Sequence, residues 1–99
     1  MFPETLIIQA HIGGGGDWEW NLRILETRPN IYIDTSGSVV DAGIVDRTVA
    51  ALGVDRVLFG TDMNWEAGVG KVLDARLNPA DREKVFAGNM KAILARRAT

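Results

Sequence analysis

The chain has 99 residues, which bounds it to one domain burying roughly 60 to 65% of the surface its unfolded form exposes, enough for a single core. A net charge of −2 with both signs scattered evenly argues against a nucleic-acid partner or a membrane surface. With no cysteine there are no disulfides and no thiolate metal sites, and cytoplasm is the expected compartment.

The N-terminus, MFPETLIIQAH, has a short apolar stretch without a basic flank, which fits neither a signal peptide nor a membrane span. It predicts a first strand over Leu6–Ala10, and the β-branched and aromatic runs at Asn30–Asp34 and Arg56–Gly60 predict two more. Between them, Trp18, Leu22 and Leu25 share a helical face after a capping Asp17. Ile44, Val45, Thr48, Val49 and Leu52 do the same after Asp41. Pro29 and Gly53 stop these two helices. Beyond the third strand, Val69, Val72, Leu73 and Leu77 follow helical spacing. Asn78-Pro79 opens a further helix through Phe86, and Gly88-Asn89 separates it from a last helix carrying Ile93 and Leu94.

The strands start about 25 residues apart, the repeat of a strand with its crossover helix, so the expected fold is α/β: a parallel, right-handed βαβαβα segment with a helical C-terminal third. Three strands leave two open edges and one face without an internal partner. The arrangement reads as incomplete, completed by another copy in a homo-oligomer or belonging to a larger α/β protein.

In parallel α/β folds the chemistry sits beyond the carboxyl ends of the strands, which directs attention to His11, Asp34 and Asp62 on one rim. His11 is the only histidine, and either a structural imidazole bonded to a carbonyl or a working group fits its position. The four glycines after it, Gly13–Gly16, suit a flexible turn or a backbone lying close to a ligand. Asp62 in "FGTD" is a turn residue or a metal-binding carboxylate. Asp34 and Ser36 in "YIDTSG" hold their loop by side-chain to backbone bonds or take a catalytic role. Trp18, Trp20 and Trp65 wall a pocket or pack in the core.

A dinucleotide fingerprint is excluded by register. From Gly13 and Gly15 the third glycine would fall on Trp18, and from Gly14 and Gly16 on Glu19, where a small residue is required. A non-catalytic, self-associating module binding an anion on the N–H groups of Gly13–Asp17 is the alternative reading.

Taken in order, FPETLIIQAHIGGGG, NIYIDTSGS, GVDRVLFGTDMNW and DREKVFAGNMKAIL resemble the C-terminal part of the amidohydrolase-related family, from Phe2 to about Leu94. That resemblance implies strands six to eight of a TIM (β/α)8 barrel, as one partial domain over residues 1–99, from a metal-dependent hydrolase or decarboxylase. It assigns proton transfer or water activation to His11, metal ligation to Asp62 and the substrate side of the pocket to the segment Asp34 to Gly37, with Ser36 in it; Trp65 joins these as a candidate substrate contact on its own position at the rim. It also implies a divalent metal, commonly zinc, and a small-molecule substrate. The family's other metal ligands lie on strands one and five and have no counterpart here, since His11 is the chain's single histidine. One carboxylate and one imidazole fall short of the three protein ligands of a catalytic zinc, so the chain alone is expected to be inactive. With three of eight strands in a barrel of roughly 250 residues, it reads as an expressed C-terminal piece, a truncated reading frame or a small self-associating protein.

Overall fold

The computed structural model describes residues 5–12, 17–37 and 41–97. Strands β1 (Ile7–Gln9), β2 (Ile31–Asp34) and β3 (Val57–Leu58) form one parallel sheet in the order β1-β2-β3. Ile7 pairs with Ile31, Gln9 with Ile33, and Ile33 in turn with Val57. The strands lie within the predicted runs and are shorter than them. At the end of the first run the backbone turns sharply, with His11 at φ 68°.

Side chains alternate across the sheet, so the register separates its faces. Ile31, Ile33 and Val57 point toward the helices, where they join Ile12, Leu22, Leu25, Ile44, Val45, Leu52, Val72 and Val85 in one core. Gln9 shares that side and exchanges amide hydrogen bonds with Asn21 of α1 at 3.1 and 3.4 Å. Ile8, Tyr32, Asp34 and Leu58 occupy the opposite face. Ile7 and Ile8 on the edge strand are 45% and 40% exposed, apolar surface that this chain leaves open to solvent.

Helix α1 (Trp18–Leu25) starts as expected, with the Asp17 carboxylate accepting from the Trp20 N–H at 3.2 Å. Its C-terminal carbonyls meet Arg56, whose guanidinium donates to Leu25 O, Arg28 O and Ile31 O and so ties the end of α1 to β2. Burial lowers the Arg56 pKa, an effect opposed by Tyr32.

Helix α2 (Ile44–Leu52) departs from expectation at its start. Its cap is Gly43 at φ 77°, not Asp41. The Asp41 carboxylate is instead engaged by the Trp18 indole N–H at 2.8 Å, and only its backbone carbonyl serves the turn, accepting from the Ile44 N–H. Glycine at position 43 takes the left-handed conformation that an aspartate cap would not require. Gly53, at φ 87°, ends the helix as predicted.

Helix α3 (Trp65–Asp74) begins four residues before Val69, and Leu77 lies beyond its end, packed against the core. Asn78 caps α4 (Pro79–Glu83) through its side chain at 2.8 Å, with Pro79 in the first turn. The expected break at Gly88-Asn89 is absent. A π-helical turn, Lys84–Gly88, leads straight into α5 (Asn89–Arg97), with Asn89 in right-handed helical geometry. The buried Asn89 amide donates to Val54 O at 2.7 Å and Val57 O at 2.8 Å, so the residue read as a stop signal anchors the C-terminal helix to β3. Phe59 and Phe86 meet edge to face at 4.9 Å beside it. Among the described residues no helix is long and apolar enough to cross a membrane.

Candidate functional site

The carboxyl ends of the three strands deliver His11, Asp34 and Asp62 to one rim. His11 Nε2 stands 3.1 Å from Asp62 Oδ2, joining groups 51 positions apart in sequence. Both side chains are at least half exposed, and an ion pair in water at that exposure adds at most about 1 kcal/mol to stability. The backbone around them is nevertheless held in an unfavourable region, with His11, Asp62 and Met63 at φ of 68°, 51° and 72°. These are all the described non-glycine residues at positive φ, and they cluster where the imidazole and carboxylate meet.

Asp34 and Ser36 build the floor under His11. Asp34 Oδ1 accepts from the His11 N–H at 3.2 Å, the Ser36 N–H at 3.0 Å and the Ser36 hydroxyl. Ser36 Oγ also lies 3.2 Å from the His11 nitrogen, and Ser36 O accepts from the Ile12 N–H at 3.1 Å. Side-chain to backbone bonding thus dominates at both residues. Gly37, at φ 99°, closes the packing: a Cβ there would stand 3.4 Å from His11 Cβ and Cγ. A Cβ at Gly60 would likewise meet Asp34 and Ser36 at 3.4 Å.

Trp65 opens α3 three residues after Asp62 and is 68% exposed; Trp20 is 59% exposed, with Arg23 over its ring. Trp18, half-buried against the core under Arg47, is a packing residue. The proposed anion site at Gly13–Asp17 falls, apart from Asp17, outside the described residues.

Two contributors went unread in the sequence. Lys71 is buried with its ammonium on Thr35 O at 2.8 Å and Gly37 O at 3.1 Å. Burial lowers its pKa and the Asp34 carboxylate opposes that shift. Its signal was present, because Gly68, Lys71 and Val72 share the buried stripe of α3 at three- and four-residue spacing.

Gly68 is the other. A Cβ there would lie 2.6 Å from Thr61 Cγ2 and 3.0 Å from Thr61 Cβ, so the glycine lets α3 approach the loop that carries Asp62. Gly68→Ala is expected to destabilise by about 1–2 kcal/mol even after alanine's helix preference of about 1 kcal/mol is credited. Urea unfolding measures this, and adding Thr61→Ser, which removes the closest methyl, is expected to recover part of the loss.

Among the described residues no three His, Asp or Glu side chains form a group that could hold a metal ion. His11 and Asp62 supply two donors, one short of the usual protein set of a catalytic zinc, so these residues do not by themselves fit a resident metal.

Comparison with known proteins agrees with this architecture. The family model described as Amidohydrolase matches residues 1–96. No curated protein matches the chain. Among solved structures, 2,6-dihydroxybenzoate decarboxylase complexed with 2,6-dihydroxybenzoate superimposes with a TM-score of 0.71 at 21% identity, over 94% of this chain and 35% of that one. The 5-carboxyvanillate decarboxylase of Sphingomonas paucimobilis gives 0.71 at 21% identity, over 95% and 35%. A dihydroxybenzoic acid decarboxylase of Polaromonas sp., solved with manganese and the inhibitor 2-nitroresorcinol, gives 0.72 at 21% identity, again over 95% and 35%. The chain spans about a third of the length of these structures, and at this identity the likeness is one of fold. A family match over nearly every residue, a parallel three-strand sheet and a superposition confined to a third of larger enzymes lead to one assignment: the chain belongs to the amidohydrolase family and has the fold of an incomplete segment of its TIM barrel.

Proposed function

We propose that the chain carries half of the active site of a metal-dependent hydrolase or decarboxylase acting on a small carboxylic acid, lactone or amide. The single observation behind this reading is the 3.1 Å approach of His11 Nε2 to Asp62 Oδ2 on a strained rim where the pair adds little stability. In this reading His11 is the general acid and base, taking and returning a proton at Nε2 while its backbone is fixed by Asp34 and Ser36. Asp62 would supply one carboxylate to a divalent ion, zinc or manganese, whose remaining ligands would have to come from other barrel strands, and such an ion would supply a more acidic bound water. Asp34 and Ser36 shape the substrate side of the pocket, and the exposed Trp65 indole offers an aromatic wall.

Aromatic carboxylic acids are the first substrates to test, since the superimposed enzymes act on them by name. The exposed apolar edge of β1 is the surface through which the missing strands, or a second copy, would complete the sheet, in a cytoplasmic setting.

The test is to co-express the chain with a polypeptide supplying the other barrel strands and to assay loss of carboxylate or hydrolysis with manganese or zinc. His11→Asn is expected to lower turnover roughly 10²–10⁴-fold. Neither this substitution nor Asp62→Asn should change the stability of the isolated chain by more than about 1 kcal/mol. Activity that survives both substitutions contradicts the assignment.

A further inference from the structure

Lys71 is a charged residue in the buried stripe of α3, and its position relative to His11 gives it a role beyond packing. The loop after β2 is gripped from two sides. Toward β1, Asp34 Oδ1, Ser36 Oγ and Ser36 O bond the backbone N–H groups of His11 and Ile12. Toward α3, the carbonyls flanking Ser36, those of Thr35 and Gly37, both accept from the Lys71 ammonium. Gly37, the residue whose carbonyl Lys71 holds, is also the one packed against the root of the imidazole. Thr35 is independently fixed by its N–H to Leu58 O at 2.9 Å, so the Lys71 contact on Gly37 governs the part of the loop nearest His11.

We infer that Lys71 is a positioning residue, whose ammonium sets the shape of the Asp34–Gly37 segment and through it the placement of His11 against Asp62. A neutral or shorter side chain cannot do this. Two carbonyls on alternate residues, that of Thr35 buried and that of Gly37 half-buried, need a donor that reaches both, and a lysine ammonium has three protons on a long stem. The Asp34 carboxylate, whose Oδ1 accepts three donors, also favours the charged form of the Lys71 ammonium.

The inference rests on the reading of His11 as the proton-transfer group, but its test is independent of activity. As the sole histidine, His11 gives one set of imidazole resonances, and its amide and that of Ile12 report the loop contacts directly. In Lys71→Met the His11 imidazole resonances are expected to move, and the His11 and Ile12 amides to exchange roughly tenfold faster relative to core amides such as Ile33. Val72→Ala, at a fully buried position one residue along the same helix, is expected to lower stability and leave the His11 resonances in place. Should Lys71→Met fail to unfold cooperatively, Lys71→Gln, which keeps a neutral donor of shorter reach, is read the same way.

Unchanged His11 resonances and exchange in a folded Lys71 variant overturn the inference, as does an equal shift in Val72→Ala. If Lys71→Met moves His11 while the completed barrel shows no turnover, the positioning role stands and the proposed function falls. Turnover that depends on His11, with unmoved resonances in Lys71→Met, removes the positioning role and leaves the proposed function standing.

Discussion

Ile33→Ala is expected to cost about 3–4 kcal/mol, a large fraction of the stability of a domain of this size. Ile33 is fully buried on the central strand, is paired with Gln9 on one side and Val57 on the other, and packs into the helical core from the middle of the sheet. Truncation there leaves a cavity bounded by strands on both sides, which cannot close without breaking the register, so the cost falls in the upper part of the range for an isoleucine. Guanidinium unfolding should show the loss as a lower midpoint at unchanged slope. Ile24→Ala is the contrast: on the exposed side of α1, 57% accessible, it should change stability by less than about 0.5 kcal/mol.

Arg56→Met is the second large effect, expected at about 2–4 kcal/mol. The guanidinium serves three carbonyls at the junction of α1 and β2, at 3.0, 2.7 and 2.7 Å, and methionine keeps most of the stem while leaving all three without that partner. The loss is local in character. Hydrogen exchange should show the end of α1 and the Thr27–Asn30 turn opening at lower free energy than the β2–β3 pairing, with thermal unfolding giving the overall change. A variant as stable as the parent would mean that water replaces the guanidinium at that corner without penalty.

The sequence disclosed the strands, their parallel order and the rim because those follow from short-range signals: β-branched runs, capping residues and the spacing of strand and crossover. His11, Asp34 and Asp62 were readable for the same reason, each being the polar residue at the end of an apolar run. What escaped depended on partners distant in sequence. Asp41 looks like a helix cap until the Trp18 indole, 23 positions earlier, occupies its carboxylate. Gly88-Asn89 looks like a helix end until the Asn89 amide finds carbonyls of Val54 and Val57 more than 30 positions back. Lys71 falls in the buried stripe of α3, but what its ammonium bonds is decided only when the loop after β2 folds over it. In each case a side-chain hydrogen bond made across the fold overrode the local preference of the residue.

In the proposed site an imidazole and a carboxylate from separate strands share a single reactive position. Manganese is paramagnetic and broadens the resonances of nuclei near it, and the chain has one histidine to report on. With the remaining barrel strands supplied, substoichiometric manganese is predicted to broaden the His11 imidazole resonances selectively, and Asp62→Asn to abolish that broadening. Manganese that binds the assembled barrel yet leaves the His11 resonances sharp, or that broadens them equally in Asp62→Asn, would contradict that shared placement.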